Sequence, residues 1–175
     1  MSFLARIPAS VYLIGLAAAL LSAGGIGMAM WNDAAETERV ALGGGANMQA
    51  GLAYAFFAGI VPAFTWIGAG IASGILVAKR VRGRQDAGAL EQGWGIRATT
   101  SLGHMLAVLL LASMIVWLCW LAVDAILYRA YGEYAEVGSM TRNVPAVFGL
   151  VFGLGMTGAL PAILLTASAP GPDDE

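Results

Sequence analysis

Four stretches of 25, 31, 26 and 22 residues, Ile7 to Trp31, Met48 to Ala78, Leu102 to Leu127 and Val144 to Leu165, contain between them one acidic residue and one histidine as their only ionisable groups of the Asp, Glu, His, Lys and Arg kind. Each is long enough to cross a hydrocarbon layer of about 30 Å as a helix. They take up 104 of the 175 residues, and the longest connection between them has 23. No soluble domain fits between the spans. Backbone groups in lipid find no water and must bond internally, and the ten-residue alternation of a barrel strand is absent, so the spans are helices. The expected fold is an all-α integral membrane protein, a single transmembrane domain over 1–175 in which four helices form a tightly packed Gly/Ala-rich bundle.

Composition excludes the competing classes. Residues of the AVILMFWYC set make up 59% of the chain, 24 more are glycine, and only 11% are charged, against roughly 25% charged in soluble domains. Disorder needs low hydrophobicity and high net charge, which is the opposite pattern. With 9 Lys and Arg against 11 Asp and Glu, there is no broad basic surface for nucleic acid. Cys119 is the single cysteine, so neither an internal disulfide nor a multi-cysteine zinc site is available.

The second span is long for the bilayer and is expected to tilt, to bend at Pro62 or to project beyond the membrane. Asn143 and Pro145 suit the cap and first turn of the fourth. The first span is too long for the core of a signal peptide, although Gly27-Met28-Ala29 resembles a cleavage site, and is read as retained. The polar tail Pro170 to Glu175 is read as a mobile end.

Small residues recur four apart at Ala23 and Gly27, Ala69 and Ser73, Gly70 and Gly74, and Gly149 and Gly153. In lipid such spacing lets helix backbones approach closely, within one chain or between subunits. The Gly43-Gly44-Gly45 run reads as a turn and not a phosphate cradle, since no Lys-Ser/Thr follows it. A segment at 59–63, Gly-Ile-Val-Pro-Ala, resembles Gly-Ala-Leu-Pro-Ala at 158–162. If that match is a repeat and not coincidence, two helical hairpins are related by an axis along the membrane normal.

His104 and Asp124 lie at opposite ends of the third span, about 30 Å apart at 1.5 Å per residue, so they form no dyad within one chain. Trp117, Trp120, Asp124 and Tyr128 share one helical face. Either they make a proton, cation or ligand site in which an indole or Arg129 satisfies the carboxylate, or they form an aromatic belt at headgroup level with Trp31 and Tyr131. His104 is a single imidazole, so bis-histidine haem ligation is closed to the chain alone. No cofactor is expected, and a haem shared with another subunit is the residual possibility. No HExxH, CxxC or P-loop occurs.

Three functions follow. The first is a non-catalytic subunit or accessory factor of a larger inner-membrane assembly (secretion, conjugation, respiratory or transport), with the lipid bilayer and other membrane subunits as partners. The second is a small transporter or channel working as a homo-oligomer with Asp124 as its ion or proton site. The third is a redox or lipid-modifying enzyme, which the scarcity of catalytic groups disfavours.

Orientation follows from the basic residues. Lys79, Arg80, Arg82 and Arg84 occupy four of six positions at the start of the 79–101 connection, a run suited to setting topology and attracting anionic headgroups. The glycines of that connection, among them Gly83 and Gly95, argue against a stable helix there. With Arg6 and Arg97, this side carries six basic residues against three, Arg39, Arg129 and Arg142, on loops 32–47 and 128–143. Both termini are therefore predicted to be cytoplasmic in a bacterial-type inner membrane. A reporter fused after Glu175 that works only in the cytoplasm should be active, and one that works only outside should be silent; the reverse result refutes the orientation.

Overall fold

The computed structural model describes residues 3–45, 47–132 and 144–169. It is all-helical over these residues: a short 3-10 turn (Phe3–Arg6), then α1 (Ala9–Ala41), α2 (Met48–Tyr54), a π-helical turn (Ala55–Ile60), α3 (Val61–Asp86), α4 (Trp94–Tyr131) and α5 (Val144–Ser168). Four of the continuous helical stretches are long and apolar enough to cross a membrane, with α2, the π turn and α3 acting as one of them. The expected cap of α5 at Asn143 lies outside the described residues.

The helices run up-down-up-down. α3 and α4 each pack against both α1 and α5, which occupy the flanks. Gly15 of α1 meets Val108 of α4, and Gly27 meets Val123 further along, so these two helices are parallel. Gly70 and Gly74 of α3 meet Gly155 and Ala159 of α5 in the same sense. Arg6, Arg84 and Ala169 are thereby brought to one end of the bundle, and the α1–α2 turn to the other.

Pro62 shapes the second span. Its nitrogen has no hydrogen to donate and its ring displaces the carbonyl one turn back, so the preceding backbone widens. The N–H of Val61 reaches the carbonyl of Phe56, five residues earlier. The widened turn lies on α1 at Gly25, where a β-carbon would be 2.8 Å from the Phe57 carbonyl oxygen.

The helices outrun the apolar stretches. α1 continues ten residues past Trp31, and the run from Lys79 to Arg84, expected to lie in a glycine-weakened connection, is the last part of α3. The connection is only 87–93, since Gly83 and Gly95 are both inside helices. Polar residues are free to continue a helix once it leaves lipid, because water then accepts their side chains. Two glycines stop the helices instead. At Gly43 (φ +91°) and Gly88 (φ +68°) the chain turns left-handed; Gly43 and Gly44 donate back to Val40 and Arg39, and Gly88 and Ala89 to Gln85 and Arg84. This is the paired bonding that satisfies the final carbonyls of a helix.

The interior is aliphatic around Trp66, with Val77, Val81, Met105, Val116, Val151 and Ile163 nearly inaccessible. The closest helix contact is between α3 and α5. A β-carbon on Gly70 would collide with the Gly155 carbonyl, one on Gly158 with that of Ile67, and one on Gly74 would lie 2.9 Å from the Ala159 oxygen. Gly149 and Gly153 instead face outward with nothing within 4 Å. Gly158 lies level with Ile67 and Ile71, so segment 158–162 sits about ten residues, roughly 15 Å, deeper along the bundle than 59–63. An axis along the membrane normal therefore does not superpose the two similar segments. Gly70→Ala and Gly158→Ala should each lower stability by about 1–3 kcal/mol through overpacking. Gly149→Ala and Gly153→Ala should be neutral or raise it by up to about 1 kcal/mol, as alanine is the better helix former. Thermal unfolding in detergent separates the two pairs, and equal effects at all four positions would refute this packing.

Candidate functional site

The buried face of α4 carries Ser101 and His104 near one end, Ser113 midway and Asp124 towards the other. Between His104 and Ser113 the buried positions are Met105, Val108, Leu109 and Ala112, and Val116 follows. Because α4 is continuous from Trp94 to Tyr131, His104 and Asp124 remain about 30 Å apart. An aliphatic layer separates them.

At the Asp124 end the carboxylate is 8% exposed. The indole N–H groups of Trp117 and Trp120 are buried and make no hydrogen bond, so neither donates to Asp124 as helical spacing suggested. They serve as apolar walls packed on the core. Tyr128, on the same face by spacing, is 56% exposed. Trp31 meets Tyr131 edge to face, with ring centres 5.2 Å apart, so α1 and α4 join aromatic groups at this end. The α1–α2 turn beside them is polar and well bonded: Arg39 donates to Glu36 at 2.7 and 2.9 Å, Glu36 accepts the Asn47 N–H at 2.7 Å, and the Asn47 side chain caps Gln49 at 3.0 Å.

The opposite end is basic. His104 is 2% exposed, with its imidazole turned into the bundle and within electrostatic reach of Arg84 and Arg6. Above it lies an open cleft of about 590 Å³ between the start of the chain and the end of α3, whose charged lining is Arg6, Lys79, Arg80 and Arg84. Arg82 points elsewhere and bonds the Ala169 carbonyl at the end of α5.

Sequence reasoning passed over two residues at this end. Gln85, 1% exposed, donates to the carbonyls of Glu91 and Gly93 and accepts from Gln92 at its own carbonyl, so it holds the whole α3–α4 turn. A glutamine one helical turn after Val81 in the buried row of α3 was its available signal. Along the chain Arg6 counts only as a topology charge; its place in the cleft depends on how the start of the chain meets α3, which spacing along the chain does not express.

A second opening, of about 490 Å³, runs between α1 and α4. Ala23, Gly24 and Gly27 form its small-residue side, bordered by Met28, Trp31 and Ile126. Gly24 has nothing within 4 Å. Among the described residues no three His, Cys, Asp or Glu groups come together as a metal site.

The fold and these features define the class: a membrane protein built as a bundle of four long apolar helices. The chain matches no protein-family model, no curated protein and no solved structure.

The burial of His104 has a direct chemical consequence. As the chain's one histidine, it should react with diethylpyrocarbonate far more slowly in the folded protein than after denaturation. Equal rates in the two states would place the imidazole outside the bundle.

Proposed function

We propose that the chain is a non-catalytic subunit or accessory factor of a larger inner-membrane assembly, and that it receives a transmembrane helix of a different membrane protein in the groove between α1 and α4. The supporting observation is that Ala23, Gly24 and Gly27 line an opening between α1 and α4 in which Gly24 has nothing within 4 Å. Lipid tails gain little from such a groove, being as apolar as leucine and mobile. A helix gains backbone proximity and dispersion contacts along its whole contact line. Trp31 at one end of the groove gives it an interfacial anchor, a role that indole rings favour. The excess of basic residues at the end holding Arg6, Lys79 and Arg84 supports a cytoplasmic assignment for that end and for both termini.

A solute or ion pathway through a single copy is disfavoured by the aliphatic layer of Val108, Leu109, Ala112 and Val116 between the two polar ends. Conduction by this fold would have to run between copies.

The test uses a photo-crosslinking residue placed in the full chain in native membranes, at Gly24 in the groove or at Leu165, which is 73% exposed on α5. A crosslink to one membrane protein from position 24, absent from 165 and lost in a Gly27→Leu background, is expected. A crosslink to a second copy of this chain would replace the reading with homo-oligomerisation. Lipid adducts alone, or the same products from both positions, would overturn it.

A further inference from the structure

The basic cleft is independent of the helix-accepting groove. Arg6 comes from the turn before α1, whereas Lys79, Arg80 and Arg84 come from the last part of α3. Two elements far apart in sequence thus converge their charge on one open volume of about 590 Å³. Among the described residues none of the four makes an ion pair or a side-chain hydrogen bond, and no acidic residue lines the cleft. Four like charges held together repel one another, and an anion seated among them removes that repulsion.

The position of the cleft selects the kind of anion. Lys79 directly follows Ala78, the last residue of the apolar stretch, which puts the cleft at headgroup depth. Below it on α3, Phe64, Gly68, Ile71 and Ala72 are exposed, and their spacings of 15, 11, 8 and 7 residues from Lys79 keep them on its side of the helix. A ligand that fills both features has a phosphate at one end and hydrocarbon at the other. We propose that Arg6, Lys79, Arg80 and Arg84 form a specific binding site for the headgroup phosphate of an anionic phospholipid, whose acyl chains lie along the exposed side of α3. This differs from the general attraction of a polybasic run, because Arg82, in the middle of the same run, is committed to the Ala169 carbonyl and lies outside the site. Basic recesses at the ends of transmembrane helices are known in general terms to hold such headgroups.

The experiment is native mass spectrometry of the purified full chain, offered equal amounts of a phosphatidylglycerol and a phosphatidylcholine with the same acyl chains. Retention of the anionic lipid is expected to dominate. The Arg6→Gln/Arg80→Gln/Arg84→Gln variant should lose this preference by roughly one-hundredfold, about fivefold for each charge. Arg82→Gln should keep it, and the Arg-to-Lys version of the triple variant should recover most of it. Circular dichroism and thermal unfolding establish that each variant is folded; if the triple variant is not, the three single variants carry the test. Equal retention of the two lipids, or equal loss in Arg82→Gln and Arg84→Gln, overturns the proposal. Displacement of the lipid by millimolar inorganic phosphate alone would assign the cleft to a soluble anion and likewise overturn it. A preference that emerges only after neutralising Asp173, Asp174 and Glu175 would mean that the chain's own tail is the anion, and the proposal would fall.

Discussion

α3 and α5 approach until the carbonyls of Ile67 and Gly155 occupy the space that β-carbons on Gly158 and Gly70 would need. In water such a contact would be one among many drawn together by the hydrophobic effect. In lipid that force between helices is largely absent, and close backbone approach with its dispersion contacts takes over. The α3–α5 pair therefore serves as the spine on which the bundle's other contacts are arranged. Leu109 of α4 packs over Gly155, and the packing of α4 on α5 and of α1 on both α3 and α4 completes the square. Once the spine sets the depth of α5, Ala169 arrives beside Arg82 and the basic end is assembled.

That assembly distributes polarity unevenly. The buried ionisable groups of α4, His104 and Asp124, lie towards its ends, with Val108, Leu109, Ala112 and Val116 between them, and the one hydroxyl there, of Ser113, donates to the Leu109 carbonyl of its own helix. A buried polar group without a partner costs about 1–3 kcal/mol, and the indole N–H of Trp66, 1% exposed and unbonded, is such a group. Trp117 and Trp120 repeat the pattern. Their rings pack on the core, so apolar area compensates for the unmet donors.

The four spans were legible because a bilayer imposes one length scale and one polarity rule on every helix crossing it. Helix ends were less so: the glycines within 79–101 spoke for a broken connection, yet Gly83 and Gly95 lie inside helices and only Gly88 and Gly93 take positive φ there. Spacing marks where a glycine can permit contact, not which side meets a neighbour. Gly70 and Gly74 meet α5 at Gly155 and Ala159, and Gly158 of α5 meets Ile67 and Ile71, while Gly149 and Gly153 face outward. The same limit applies to Trp120 and Asp124, which share a face by spacing without sharing a hydrogen bond. Sequence periodicity assigns faces; depth and rotation come from the packing of other helices.

The basic run shows how far one element's geometry refines a composition argument. Counted along the chain, Lys79, Arg80, Arg82 and Arg84 are equivalent charges that hold one end of the bundle on one side of the membrane. Wound on α3 at 100° per residue, they cannot share a direction. Arg82 turns to α5 and ties its last turn, while Lys79, Arg80 and Arg84 turn to the side where Arg6 waits. The division needs a second helix on each side of α3, and the bundle supplies α5 on one and the start of α1 on the other. Charge that sets topology only has to be present, whereas charge that binds a headgroup has to converge, and the convergence of Arg6 with α3 is a property of the folded chain alone.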